Sequence, residues 1–330
     1  MIQEALNVFN IPYIIIGKKD AGNYTVYTLR ATAAGATLSR LRSRLEDIKS
    51  YTGLNISIQP DAAGVLLRVE HENKNIYLFK DYNGYLNDSG YKLPFMIGLT
   101  QKGFIVEDLT KCPHILIAGT TGSGKSSYLH TLIMSLFDRC NYEPLNLFLV
   151  DCKRVEFSIY KNHCNVFFDT KGARDCITFL IEEIERRYNA MQRAGVNTFD
   201  DFKRLNPEYR YYILIIDELA DLISTKQAQK TIIPDLLRIA QIGRAAGVHM
   251  VLATQRPDTS IINGTLKGNI PTRISFNVAT RFDSQVIIDR GGAEYLTGNG
   301  DGLYLKNGAR DLLRFQSTYI DMDTLQNIFK

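Results

Sequence analysis

The sequence predicts an α/β protein: a mostly parallel, helix-covered sheet at residues 92–330, preceded by a small α+β subdomain at 1–91. Three observations carry this. From about residue 92 onward, short β-branched runs alternate with segments of helical period, the pattern of strands joined by covering helices. The apolar run His-Ile-Leu-Ile-Ala leads directly into Gly-Thr-Thr-Gly-Ser-Gly-Lys-Ser at 119–126, so a complete G-x-x-x-x-G-K-[ST] pattern stands between a strand and a helix. Before residue 91 the chain shows only a few alternating runs around one helical segment, too little for a second large sheet.

Taken in order, residues 22–30 alternate as a strand, and Leu38, Leu41, Leu45 and Ile48 recur at helical spacing through Ser39–Ser50. Strand-like runs follow at Leu54–Gln59 and Gly64–Glu70, giving a β-α-β-β unit. The turn-rich stretch Asp81–Gly90 reads as the linker. Beyond it the expected strands are Ile115–Ala118, Leu145–Asp151, Val166–Phe168, Tyr212–Asp217, Val248–Thr254 and Arg273–Val278. The expected helices are Lys125–Cys140, Ala173–Ala194 and Thr231–Ala246.

The octapeptide sets the chemistry. Glycines at 119, 122 and 124 let the backbone close into a concave nest of N–H groups, and the helix that follows adds its positive end. Gly119, Thr120, Thr121, Gly122, Ser123, Gly124, Lys125, Ser126 and Ser127 form the candidate cradle for the phosphates of a nucleotide. Lys125 supplies a point charge to the β- and γ-phosphates, and Ser126 a hydroxyl ligand to Mg²⁺. The run Tyr-Tyr-Ile-Leu-Ile-Ile-Asp-Glu at 211–218 suits a strand buried on both faces, and it ends in two acids. Asp217 is the candidate second Mg²⁺ residue and Glu218 the candidate base for the attacking water. Val-Leu-Ala-Thr-Gln-Arg-Pro at 251–257 places Thr254 and Gln255 at another strand end, where Gln255 could meet the γ-phosphate or position water.

Arginines suited to a neighbour's nucleotide are Arg186, Arg187, Arg244 and Arg273, because a guanidinium is permanently charged and its fork matches phosphate oxygens. For the first two a plain alternative exists: pairing with Glu182 and Glu183 along one helix. Lys153, Arg154 and the stretch Thr265–Asn269 are candidates for contact with nucleic acid, or simply a solvated face.

Composition bounds the rest. The 330 residues are 45% hydrophobic and 22% charged, as in an ordinary globular protein, and the net charge of +4 permits nucleic-acid binding without demonstrating it. No apolar run reaches the roughly 18 residues of a membrane span, and the N-terminus lacks a signal-peptide pattern. The five cysteines, at 112, 140, 152, 164 and 176, form no C-x-x-C pair. Reduced thiols in a cytoplasmic protein are expected.

The motifs resemble the FtsK/SpoIIIE family of DNA translocases. The likeness runs in order through Leu-Thr-Lys-Cys-Pro-His-Ile-Leu-Ile-Ala-Gly from Leu109, Ile-Asp-Glu-Leu-Ala-Asp-Leu from Ile216 and Gly-Arg-Ala-Ala-Gly-Val-His from Gly243. It continues through Leu-Ala-Thr-Gln-Arg-Pro from Leu252, Asn-Ile-Pro-Thr-Arg-Ile-Ser-Phe from Asn269, Gly-Gly-Ala-Glu-Tyr-Leu from Gly291 and Gly-Asp-Gly-Leu-Tyr-Leu from Gly300. The resemblance implies a RecA-like P-loop ATPase motor, a homo-hexameric ring around double-stranded DNA, and ATP-driven transport of that DNA. It keeps Lys125, Ser126, Asp217, Glu218 and Gln255 in the roles above and matches Arg244 and Arg273 to motif arginines. It makes residues 22–59 similar to the subdomain that precedes the motor. The family's membrane region and winged-helix module have no counterpart in the chain, so a short soluble form is expected, with membrane, conjugation or segregation partners left open. The alternative is a secretion-system ATPase that moves protein substrates.

Overall fold

The computed structural model describes residues 1–20, 23–61, 64–71, 75–139 and 143–329. Gly22 and Cys140, assigned above to a strand and a helix, lie outside them. Two units result, Met1–Ile76 and Tyr77–Lys330.

The first unit is built on a four-stranded antiparallel sheet of β1 (Tyr13–Asp20), β2 (Tyr24–Ala31), β3 (Ile56–Asp61) and β4 (Gly64–Glu70), in the order β1-β2-β4-β3. Leu6, Leu29, Leu41, Ile48 and Leu67 form the fully buried centre of its core. The expected β-α-β-β unit is corrected in two places. Strand β1 escapes the sequence pattern because Tyr-Ile-Ile-Ile-Gly-Lys-Lys-Asp does not alternate; it is an edge strand with Ile14 and Ile16 exposed. The expected helix Ser39–Ser50 is two, Leu38–Ser43 and Leu45–Thr52, the first opened by Thr37, whose hydroxyl accepts from Arg40 N–H.

The second unit holds ten strands: β5 (Pro94–Thr100), β6 (Gly103–Asp108), β7 (His114–Ala118), β8 (Leu145–Val150), β9 (Asn165–Phe167), β10 (Tyr211–Ile216), β11 (Val248–Thr254), β12 (Thr272–Phe276), β13 (Asp301–Leu305) and β14 (Leu313–Gln316). Their order is β6-β5-β14-β13-β12-β7-β11-β10-β8-β9. From β12 to β9 neighbours run parallel; from β12 to β6 they run antiparallel.

The central strands are apolar at most positions because both faces are covered, with His114, Asn146, His249 and Thr254 the polar exceptions. Ile115, Ile117, Leu147, Leu149, Ile213 and Ile215 face Leu129, Leu132, Ile133 and Leu136 of the helix Lys125–Arg139. The alternate residues Leu116, Phe148, Leu214, Ile216, Met250 and Leu252 face helices Thr170–Ala194 and Lys226–Ile242 through Ile177, Leu180, Ile184, Ile232 and Leu236. This is the RecA-like P-loop architecture, with strand β7 near the middle and its carboxyl end at the point where ligands bind in such sheets.

The division of the chain falls before the expected linker. Asp81–Gly90 lies within the second unit as short helices, Phe79–Tyr82 and Gly84–Asp88, with Phe79 and Leu86 buried against Met96, Met134 and Leu325. The antiparallel strands β5, β6, β13 and β14 lie outside the expected set: Gly98 and Gly302 interrupt the runs of β5 and β13, and β14 is only four residues, two of them polar. Gly98 shows why glycine is needed: its φ is +140°, and a Cβ there would come within 2.3 Å of the Gln316 carbonyl oxygen. Among the described residues, no helix is long and apolar enough to cross a membrane.

Candidate nucleotide site

The phosphate loop leaves β7 at Ala118 and is tied to both flanking strands. Gly119 N–H bonds the Thr254 carbonyl at the end of β11 at 3.3 Å, and Thr120 N–H bonds Asn277 O beyond β12 at 2.9 Å. Gly122 and Gly124 turn the chain at φ +78° and +102°. No described residue accepts from the amides of Thr121, Gly122 or Gly124, so these donors are left for an anion. A second segment forms one wall of the loop. Asn299 N–H reaches Gly122 O at 3.4 Å, and Gly300 N–H reaches Ser123 O at 2.9 Å. A Cβ on Gly124 would stand 2.3 Å from Gly300 N.

Helix Lys125–Arg139 starts at the loop's end, and its first residue points back under it. Lys125 is only 2% exposed; its Nζ donates to Asp217 Oδ1 at 2.9 Å and to the Asp217 carbonyl at 2.8 Å. Burial lifts the Asp217 carboxyl above the usual carboxylate range, and the Lys125 ammonium opposes this. Asp217 stands just beyond β10, anchored by its N–H to Val150 O at 3.1 Å.

Glu218 is buried and its two oxygens are held separately. Oε1 accepts from Thr254 Oγ1 at 2.6 Å, and Oε2 accepts from Gln255 N–H at 2.9 Å. Oε1 also accepts from Ala220 N–H at 3.3 Å, whereas Oε2 keeps a further lone pair, so the carboxylate can still accept from a water. Gln255 Oε1 accepts from Thr121 Oγ1 of the phosphate loop at 2.8 Å. The structure thus joins the ends of β10 and β11 to the loop through Glu218, Thr254, Gln255 and Thr121. Ser126 and Ser127 follow in the first turn, each half-buried.

A nucleotide with Mg²⁺ fits these residues. The cradle has free amides, a buried lysine and a serine at the helix start, with Asp217 opposite. Among the described residues, no three His, Cys, Asp or Glu side chains come together closely enough to hold a metal unaided.

The arginines separate. Arg273 at the start of β12 is 8% exposed and fully engaged: Nε with Ile270 O, Nη1 with Ile287 O and the Asp289 carboxylate, Nη2 with Lys267 O. These four bonds hold the Arg273 guanidinium inside its own unit. Arg187 is likewise buried on Glu183, Ala246 O and Arg210 O, and Arg186 pairs with Glu183. Arg244 alone of the four is exposed without such bonds. It precedes β11, whereas the phosphate loop follows the carboxyl end of the parallel β7. A strand length of about 20 Å therefore separates it from its own loop. Lys153 pairs with Asp221 at 3.1 Å and Lys267 with Asp289 at 2.7 Å, while Arg154 is exposed at φ +61°.

Sequence reasoning missed Glu156 and His130 beside the loop, and the Gly298–Gly300 turn against it. A signal existed for the turn: three glycines in Gly-Asn-Gly-Asp-Gly imply a close backbone approach.

The family model of the FtsK/SpoIIIE family matches residues 89–213 and 203–259. The chain belongs to the FtsK/SpoIIIE family. It is similar to the DNA translocase FtsK of Tropheryma whipplei, 39% identical over 247 residues, covering 69% of this chain and 33% of that protein. To the DNA translocase FtsK of Caldanaerobacter subterraneus subsp. tengcongensis it is 33% identical over 340 residues, 99% of this chain and 48% of that protein. The chain thus spans a third to a half of the length of these relatives. Among solved structures, the pCW3 conjugation coupling protein TcpA, in a monomer form with ATPgS, matches with a TM-score of 0.72 at 23% identity, covering 99% of this chain and 98% of that one. The cytoplasmic domain of the Thermomonospora curvata type VII secretion ATPase EccC matches with a TM-score of 0.60 at 23% identity, over 72% of this chain and 30% of that one. At these identities the likeness shows the fold.

Proposed function

We propose that the chain is an ATP-hydrolysing motor that moves double-stranded DNA, working in the cytoplasm as a homo-hexameric ring. The observation that carries the ATPase reading is the buried ensemble of Lys125, Asp217 and Glu218 around a loop with unpaired amides. The cargo is carried over from the DNA translocases to which it is 33–39% identical over the aligned residues.

In this reading Lys125 leaves Asp217 for the β- and γ-phosphates, and the amides of Thr121, Gly122 and Gly124 hold phosphate oxygens. Mg²⁺, held through Ser126 and Asp217, supplies positive charge to the phosphates. Glu218, aimed by Thr254 and the Gln255 amide, takes the proton of the attacking water. Gln255, fixed by Thr121, is placed to sense the γ-phosphate. Arg244 acts in the nucleotide site of the next subunit, since its own loop is out of reach. Contacts to DNA are with the phosphate backbone, so binding should weaken steeply as salt rises.

The EccC likeness favours a second reading, transport of protein, but it concerns the fold and is matched by TcpA. The test is ATP turnover without DNA, with single-stranded DNA and with long linear duplex, using Lys125→Ala as the blank. Strong stimulation by the duplex alone supports the DNA motor. Turnover that ignores all DNA while the blank stays silent overturns it and favours a protein substrate.

A further inference from the structure

The phosphate loop sits at the carboxyl ends of the parallel strands, and their amino ends hold a concavity of different chemistry. A cavity of about 700 Å³ opens there, within the size range of small-molecule sites. Its walls include Lys92, Asp108, Lys111, Tyr211, Arg244 and His249. Strands β7 and β11 are parallel neighbours with His114 opposite Met250. Lys111, just before β7, and Arg244, just before β11, therefore stand on the same edge of the sheet.

Two separate turns present these cations. Between β6 and β7, Asp108 Oδ1 accepts from Thr110 N–H at 2.9 Å, and the Asp108 carbonyl accepts from Lys111 N–H at 2.9 Å. Arg244 lies in the single turn Gly243–Ala246, closed by Gly247 N–H on the Arg244 carbonyl at 3.2 Å. The packing around that turn is tight. A Cβ on Gly243 would come within 2.7 Å of Val248 O, and one on Gly247 within 2.3 Å of the Phe199 ring.

The charges in the cavity do not cancel. Lys92, Lys111 and Arg244 face two acids, and both acids are engaged. Asp200 pairs with Lys92 at 2.5 Å and accepts from the Tyr211 hydroxyl. Asp108 is 2% exposed and accepts from the N–H groups of Lys92 and Leu93 besides the turn just described. Burial keeps the His249 ring uncharged. Lys111 and Arg244 are both exposed, and no carboxylate of the described residues pairs with either. The Lys111 ammonium rests over the Tyr91 ring, 4.5 Å from its centroid. A small cavity edged by uncommitted lysine and arginine matches the phosphates of a nucleotide.

We propose that this cavity completes the nucleotide site of the next subunit, with Lys111 as a second cation supplied in trans, beside Arg244, to the phosphates of ATP on the neighbour's loop. The inference rests on the reading above in which Arg244 acts on the next subunit. The two side chains differ in task. The Arg244 fork suits the transferring phosphoryl group, and the lysine is a compact point charge that suits holding the phosphates before reaction. A plain alternative, a solvated lysine stacked on Tyr91, predicts no effect on nucleotide.

The test is steady-state ATP turnover by the full chain on long linear duplex DNA. KM and kcat are measured for the parent, Lys111→Ala, Lys111→Arg and Arg244→Ala, with urea midpoints as the check on folding. Each alanine variant is also mixed with Lys125→Met subunits, whose own loops are dead and whose cavities are intact. The expected result for Lys111→Ala is a rise of about tenfold to a hundredfold in KM for ATP, with a smaller fall in kcat and an unchanged urea midpoint. Lys111→Arg keeps the charge and should stay near the parent. In the mixture, part of the turnover should return at the parental KM, because each Lys125→Met subunit lends its Lys111 to a neighbour. A parental KM in Lys111→Ala, a KM in Lys111→Arg as poor as that of the alanine variant, or no return in the mixture would each overturn the proposal. Arg244→Ala tells two failures apart. Return with Arg244→Ala but not with Lys111→Ala overturns the role of the lysine alone, and return with neither overturns the reading in trans as well.

Discussion

Replacing Lys125 by methionine removes a charge but keeps most of the buried stem, and the geometry around Asp217 sets the cost in the absence of nucleotide. The ammonium is 2% exposed and makes both its bonds to Asp217, which is itself 2% exposed. Removing one partner of such a pair strands the other charge and costs about 3–5 kcal/mol. With a urea m-value of roughly 3 kcal/mol/M, the midpoint of the second unit should fall by about 1–1.7 M at pH 7.5. The deficit should depend on pH. Burial already raises the Asp217 carboxyl, and the variant loses the ammonium that opposes this, so the folded variant binds a proton that the unfolded chain releases. Stability then falls with rising pH, and the deficit against the parent shrinks between pH 8 and 5. The chain has no tryptophan, so far-UV circular dichroism is the suitable probe. A midpoint matching the parent at pH 7.5, or a deficit that widens toward acid, would refute the reasoning.

Three further outcomes come from substitutions, and a fourth from pH. Glu218→Gln should bind nucleotide like the parent and lose roughly 10²–10⁴ in turnover, read by paired binding and phosphate-release assays, because an amide takes no proton. Arg273→Ala should destabilise by about 1–3 kcal/mol in urea, since it leaves three buried carbonyls without their donor and Asp289 with Lys267 alone. Arg244→Ala should unfold like the parent, lose turnover, and regain part of it when mixed with Lys125→Met subunits; no regain would argue against action in trans. Burial holds the rings of His114 and His249 down to about 3, so both stay neutral in the fold while the unfolded chain protonates near 6.5. Stability should therefore drop by roughly 2 kcal/mol per ring between pH 7 and 5, and His249→Gln should remove about half of that acid slope.

The parallel half of the sheet was legible because strands covered on both faces must be apolar throughout, as Tyr-Ile-Leu-Ile-Ile before Asp217 shows. The phosphate loop, Asp217, Glu218 and Gln255 were legible because strand ends that carry such groups have few other uses. The antiparallel half was not, since Gly98 and Gly302 break the runs of β5 and β13 for reasons that lie in distant strands. Nor could spacing sort the arginines. Arg273 and Arg244 both precede or open buried strands, and only packing reveals that one guanidinium is enclosed by Ile270, Ile287 and Lys267 while the other is open. Glu156 was invisible because its neighbour His130 belongs to another element, and a loop reversal at Arg154 brings the two together.

The backbone bonds from Ser123 to Gly300, and from Gly300 to Ser317, make a main-chain relay between the nucleotide and the final strand of the sheet. No side chain takes part in it, so point substitution elsewhere leaves it intact. A selection for nucleotide binding would instead see it as two remote positions, Gly124 and Gly300, where every side chain is rejected together: a Cβ on Gly124 strikes Gly300, and one on Gly300 strikes Ser317. The catalytic centre is in this sense spliced from both ends of the motor sequence. Fragments that keep the phosphate loop but stop before residue 298 would carry every expected catalytic residue and lack one wall of the site.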